Sequence, residues 1–129
     1  MPGIRHPDRI GLHLRVVLRD GAGRPVAFGP GKADLLTAIA ETGSIAAAGR
    51  RLGMSYKRAW SLVEALNEMF RGAVVDAAKG GAHGGGAVLT PLGAKVLAAY
   101  RALETASSRA GQAPLAVIRR ALRPDDERV

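Results

Sequence analysis

A mainly α fold with small β-hairpins, arranged as a winged helix-turn-helix, is predicted by three features of this sequence. Hydrophobic residues make up 47% of the chain but aromatics only 4%, so the core must be built from Ala, Leu, Val and Ile, which suits closely packed helices. The stretch GSIAAAGRRLGMSYKRAW reads as a short helix, a tight turn at Gly53-Met54 and a second helix that starts with polar and basic residues. Two short β-capable segments around a glycine tract then precede Thr90-Pro91, a strong helix start.

The elements follow in order. Residues 1–11 contain Pro2, Gly3, Pro7 and Gly11 without any period and are expected to be a mobile arm. Leu12, Leu14, Val16 and Leu18 alternate with mostly polar neighbours, so residues 12–18 are expected to be a strand with one buried face. Asp20-Gly21 signals a turn, and a second strand over 25–28 completes a hairpin. After the break at Gly29–Gly31, residues 32–41 carry Leu35, Leu36, Ile39 and Ala40 on one helical stripe that stops at Gly43. Ser44 caps a short helix with Ile45, Ala48 and Leu52 inward, ended by Gly53. Ser55 caps the next, residues 56–70, with Ala59, Val63, Leu66 and Phe70 as its buried stripe. Residues 73–78 and 87–89 form a hairpin whose tip is nearly all glycine. From Thr90-Pro91 a helix runs to about Ser108 with Leu92, Val96, Ala99, Tyr100 and Leu103 on one stripe. Past Gly111 and Pro114, residues 115–122 form one more short helix before a charged, frayed end. The length of 129 residues suits a single domain plus tails: residues 1–11 as arm, 12–109 as the domain, 110–129 as an extension.

Charge restricts the partner. Lys and Arg number 19 against 11 Asp and Glu, a formal net charge of +8, with a sequence pI of about 11.0, in the range of nucleic-acid binders. There is no cysteine, which removes disulfides, thiolate metal sites and Cys nucleophiles and fits a reducing compartment. No segment has the roughly 18 consecutive apolar residues of a membrane span, and the first residues lack an apolar signal region. A cytoplasmic protein that does not engage membranes is expected.

The exposed start of the third helix carries Ser55, Tyr56, Lys57, Arg58 and Ser61, with Trp60 one turn beyond Tyr56. Lys or Arg can donate to the acceptor edge of guanine, Ser and Tyr can bond phosphate or base, and an aromatic face can contact a thymine methyl. Ser44, Arg50 and Arg51 on the preceding helix suit the phosphate backbone. Ala46, Ala47, Ala48, Gly49 and Ala59 are small, so the two helices can approach closely. A solvated basic face is what a lone charge cluster ordinarily means; the helix-turn-helix spacing around this one favours duplex DNA. At the hairpin tip, KGGAHGGG, Lys79 and His83 would meet the minor groove or backbone as a wing; a tip that stays mobile until DNA is present is the equal alternative.

Catalytic and metal chemistry has little to build on. Gly31-Lys32 is followed by Ala33 and lacks the first glycine of a phosphate-binding loop. His6, His13 and His83 have no ligand spacing, and Glu64 and Glu68 lie four apart as on a solvated helix face. No Ser-His-Asp arrangement has a spacing logic. No enzyme activity, metal or cofactor is expected.

AIAETGSIAAAGRRLGMSYKRAWSLVEALN, followed by the glycine-rich hairpin and LTPLGAKVLAAYRALE, resembles the N-terminal winged-helix DNA-binding domain of the ModE-type molybdate-dependent regulators and, more distantly, the LysR-type DNA-binding domain. The likeness covers roughly residues 12–104. It implies that Ser55, Tyr56, Lys57 and Arg58 open the recognition helix, that Arg50 and Arg51 flank the backbone, and that residues 79–86 are the wing. Full-length members continue into oxyanion-binding domains; only 25 residues follow Glu104, so a molybdate sensor is not expected here. The expected function is a sequence-specific regulator of transcription that binds double-stranded DNA as a homodimer, a repressor reading a palindromic site. The dimer surface is expected on the helix after Thr90, aided by the N-terminal strand, with ordinary packing of that stripe inside the monomer as the alternative. An architectural DNA-coating protein of low specificity and a protein-interaction module are the alternatives. The sequence names no small-molecule effector.

Overall fold

The computed structural model describes residues 11–78 and 86–124. Within them the order is β1 (Val16–Arg19), β2 (Pro25–Phe28), α1 (Pro30–Thr42), α2 (Ile45–Arg51), α3 (Tyr56–Met69), β3 (Val75–Ala77), β4 (Ala87–Leu89), α4 (Pro91–Ala110) and α5 (Gln112–Ala121). The strands form two separate antiparallel hairpins, β1 with β2 and β3 with β4. This is the expected mainly α, winged helix-turn-helix arrangement. Residues 1–10, the glycine-rich tip with Lys79 and His83, and residues 125–129 lie outside the described residues.

The first hairpin is shorter than its alternating pattern suggests. The register pairs Val16 with Phe28 and Arg19 with Pro25, which sets Leu14 opposite Pro30, where α1 has already begun. No strand partner exists there, so residues 12–15 are not a strand. The Leu14 carbonyl instead accepts from the Tyr100 hydroxyl at 2.6 Å. Leu14 and Val16 pack against the core, whereas Leu12 and Leu18, expected on the buried face, remain 44% and 64% exposed.

The turn between β1 and β2 is built on Asp20. Its Oδ1 accepts from the backbone N–H groups of Ala22 and Arg24, each at 2.9 Å, and Oδ2 lies 3.0 Å from Arg24 Nε. These bonds, the Arg24 N–H foremost, hold the carboxyl below its ordinary range. A carboxyl with a depressed folded-state pKa contributes stability that is complete above the unfolded value of about 3.9 and is lost as pH falls through the lowered one. Urea unfolding followed by circular dichroism should therefore show wild type more stable than Asp20→Asn near neutrality, with the gap closing as pH falls through the lowered carboxyl value until the two are alike at the acid end.

α1 is the central helix. It starts two residues before its expected Lys32, because Pro30 occupies the first helical position, where its missing N–H costs nothing, and Gly29 is the extended cap. Its buried residues are Ala33, Leu35, Leu36, Ala38 and Ile39. Ala40, expected on the buried stripe, is exposed; α1 contacts α2, α3, α4, β2 and β4, so its buried arc is wide and Ala33 and Ala38 fall inside it. α2 adds Ile45 and Ala48 to the core, α3 adds Ala59, Val63 and Leu66, and the second hairpin adds Val75 and Ala87. Phe70, expected buried, is half-buried and meets Phe28 edge-on with centroids 6.1 Å apart. Phe28 also packs edge-on against Tyr100 at 5.1 Å.

α4 has Thr90 as its cap, the hydroxyl accepting from Gly93 N–H at 3.0 Å, and Pro91 as its first residue. Arg101 ties α4 to α1, donating to Asp34 at 3.1 Å and to Thr37 at 2.9 Å. Of the expected stripe, Tyr100 is buried and Leu92 and Val96 are half-buried, but Ala99 and Leu103 stand exposed. α5 begins three residues ahead of the expected Leu115, since Pro114 falls in its first turn, where no backbone donor is required.

Candidate nucleic-acid interface

α2, the turn and α3 are held together by their smallest residues. Gly49 is buried, and a Cβ placed there would come 3.3 Å from Ala59 Cβ and 3.4 Å from the Met54 carbonyl. Two helices can cross this closely only through such residues. The chain reverses at Gly53, whose φ of +70° lies in the left-handed region that favours glycine. Met54 N–H then bonds the Gly49 carbonyl at 2.9 Å, closing the turn onto the end of α2.

Both helices are capped as the sequence suggests. Ser44 Oγ accepts from Ala47 N–H at 2.8 Å, and Ser55 Oγ from Arg58 N–H at 3.1 Å. Each hydroxyl keeps its own hydrogen as a donor. The N-terminus of α3 thus ends in an exposed Ser55, followed by Tyr56, 57% exposed, an exposed Lys57 and a half-buried Arg58. Trp60 is half-buried against the core and supports the Tyr56 ring edge-on, centroids 6.2 Å apart. Ser61 Oγ donates back to the Lys57 carbonyl at 3.0 Å.

The electrostatics of this end favour an anion. The N-terminus of a helix is the positive end of its dipole, where a carboxylate stabilises by about 0.3–1 kcal/mol and a cation destabilises comparably. The first turn of α3 holds no acidic residue, while Lys57 and Arg58 occupy it. For folding alone this is an unfavourable choice; facing phosphate or guanine it becomes an advantage. At the other end of the turn, Arg50 and Arg51 close α2. Arg50 is exposed, and Arg51 pairs with Glu41 of α1. That pair is exposed on both sides and holds Arg51 weakly, as surface ion pairs contribute about 0–1 kcal/mol.

The second hairpin is fixed against this surface by contacts that no motif announces. Ala87 N–H bonds the Gly43 carbonyl at 2.8 Å, tying β4 to the junction of α1 and α2. Asn67, in the last turns of α3, accepts from Val74 and Val75 N–H at 2.8 and 3.0 Å and donates to the Val75 carbonyl at 3.1 Å. Its amide thereby sets where β3 starts. The sequence offers only a faint signal for this role, a polar residue beside the Val63, Leu66 and Phe70 stripe. Asn67→Ala should cost about 2 kcal/mol, at a net 0.5–1.5 kcal/mol for each bond, readable in urea unfolding.

Ser44, Arg50, Arg51, Ser55, Tyr56, Lys57, Arg58, Trp60 and Ser61 are therefore all placed on α2, α3 or their caps. Lys79 and His83 lie outside the described residues. Among the described residues there is no group of three side chains able to hold a metal ion, and no helix long and apolar enough to cross a membrane.

Residues 32–94 match the family described as bacterial regulatory helix-turn-helix protein, lysR family. The chain is 54% identical over 77 residues to the molybdenum-pterin-binding protein MopB of Rhodobacter capsulatus, covering 60% of this chain and 28% of that protein. It is 46% identical over 70 residues to the molybdenum transport protein ModE of Herbaspirillum seropedicae, covering 54% of this chain and 26% of the relative. The DNA-binding transcriptional dual regulator ModE of Escherichia coli is 37% identical over 81 residues, 63% of this chain and 31% of its own length. The chain thus spans no more than about a third of the length of these curated relatives.

Proposed function

We propose, from the match of residues 32–94 to the lysR-family helix-turn-helix and the likeness to ModE relatives, that this protein binds duplex DNA sequence-specifically and regulates transcription. The observation that carries the reading is the outward amino end of α3, with Tyr56, Lys57 and Arg58 in a first turn that has no acidic residue. Lys57 and Arg58 read base edges in the major groove, with Tyr56 and Trp60 supplying aromatic contact. Ser55 and Ser61 bond phosphate or base. Ser44, Arg50 and Arg51 engage the backbone, and Lys79 and His83 serve the wing. Residues 12–109 are the DNA-binding unit and 110–129 an extension.

One recognition helix reads only a few base pairs. A homodimer on a palindromic site, with its two reading heads about 34 Å apart, supplies the remaining affinity and specificity. Bound across a promoter, such a dimer represses by excluding polymerase. Selection from a pool of random duplexes, with bulk genomic DNA as competitor, tests this. An enriched inverted repeat with half-sites about one turn apart supports it. Binding without enrichment would replace it with an architectural role, and no salt-sensitive binding at all would favour a protein-interaction module.

A further inference from the structure

One cation of the proposed DNA surface is already occupied by the protein itself. Arg51, the last residue of α2, donates through Nη1 to Oε1 of Glu41 in the last turn of α1. Both side chains stand in solvent, 47% and 60% exposed. The backbone beneath them is fixed. Gly43 ends α1 in the left-handed region at φ +76°, its N–H bonds the Ile39 carbonyl at 2.8 Å, and its carbonyl accepts from Ala87 N–H at 2.8 Å. The Thr42 hydroxyl donates to the Ala38 carbonyl at 2.7 Å. Breaking the pair therefore needs rotation of two exposed side chains and no movement of the helices. Arg50 and Lys57, the other exposed cations of the turn, make no ion pair among the described residues.

Stability accounts poorly for the carboxylate. The C-terminus of a helix is the negative end of its dipole and favours cations, yet the last turn of α1 holds Glu41 and no basic residue. Arg51 needs no partner to sit where it does, because it closes α2 at an end that already favours a cation. A surface ion pair adds little to set against the misplaced charge. What the carboxylate achieves is chemical. Its oxygens offer a guanidinium the same charge-assisted hydrogen bonds as the oxygens of a phosphate, so Glu41 and a DNA phosphate compete for the same N–H donors.

We propose that Glu41 is a built-in competitor for DNA phosphate: it holds Arg51 in the free protein, must release it when a duplex binds, and so lowers affinity for every sequence by the same factor. The inference rests on the DNA reading given above and adds a residue that works against binding. The net charge of +8 gives such a brake its use. Non-specific affinity comes almost entirely from phosphate contacts, and genomic DNA offers a vast excess of random sites. Holding one phosphate-binding cation back shortens the stay of the protein on those sites, while the selected site has base contacts to draw on. Because the pair is exposed, salt screens it, and the brake is strongest at low salt.

Glu41→Gln removes the charge at constant length and tests the competition in the full chain, by gel-shift titration on the selected and a scrambled duplex. At low salt both duplexes should bind about 2- to 5-fold tighter than to wild type, the range an exposed ion pair permits, and the gain should shrink as salt rises. The helical circular dichroism should be unchanged; should it fall, Glu41→Ala takes the place of this variant. The same substitution is then made in the Arg51→Ala background, where the gain should shrink toward none because no guanidinium is left to release. A gain that does not shrink there would overturn the competition and leave plain repulsion between Glu41 and DNA. Unchanged or weaker binding by Glu41→Gln would also overturn it, the latter by showing that Glu41 positions Arg51 for phosphate. A wild type without salt-sensitive binding to any duplex would instead remove the DNA reading itself, and this inference with it.

Discussion

Gly93→Ala is expected to destabilise the protein by about 4 kcal/mol, the largest loss of stability from a single methyl group anywhere in the described fold. A Cβ at this position would stand 2.0 Å from the Val74 carbonyl oxygen and 2.9 Å from its carbon, and backbone cannot turn aside as a side chain can. α4 would have to lift from the segment entering β3. That displacement breaks Thr90 N–H to the Val74 carbonyl at 3.0 Å and the Thr90 hydroxyl to the Ala73 carbonyl at 2.6 Å. Overpacking costs about 1–3 kcal/mol and each lost bond about 1 kcal/mol. Thermal unfolding should show a Tm lower by roughly 10 °C or more. A Tm within about 2 °C of wild type would mean that α4 and β3 are not in this contact. Because the same contact anchors the second hairpin, the variant should also lose DNA affinity at temperatures where it is still folded.

Lys57→Ala and Arg58→Ala are each expected to cost about 1–3 kcal/mol of binding to the selected site and to relax its base preference. Both residues sit in the first turn of α3, where a groove-entering helix meets base edges. Arg51→Ala should behave otherwise. Its guanidinium pairs with Glu41 on the surface; in the proposed reading it neutralises phosphate, so its loss should weaken all sequences alike and reduce the salt slope by about 1. Gel-shift titrations on the selected and a scrambled duplex, at several salt concentrations, separate the two patterns. Equal losses on both duplexes for all three variants would remove base reading from α3.

The helices and the turn were legible because their signals are local. Ser44, Ser55 and Thr90 each cap the helix expected of them, Gly53 makes the turn, and β2 occupies the expected residues 25–28. The start of β1 was not legible, since the alternation of Leu12 to Leu18 says nothing of where the partner strand ends and α1 begins. The burial of Ala33 and Ala38 in place of Ala40 likewise depends on how many neighbours α1 has, a property of the whole fold. The candidate reading residues could be named from charge and spacing; the residues that support them, Asn67, Gly93 and Arg101, act through backbone geometry or across long separations that periodicity does not encode.

The central claim is that the amino end of α3 is the surface that enters DNA. Backbone amide NMR shifts, followed as the selected duplex is added to the protein, test it most directly. The largest changes are predicted at residues 55–61, with smaller ones at Ser44, Arg50 and Arg51 and little change along α5. Changes concentrated on α4 and α5, with residues 55–61 unmoved at saturation, would contradict the account.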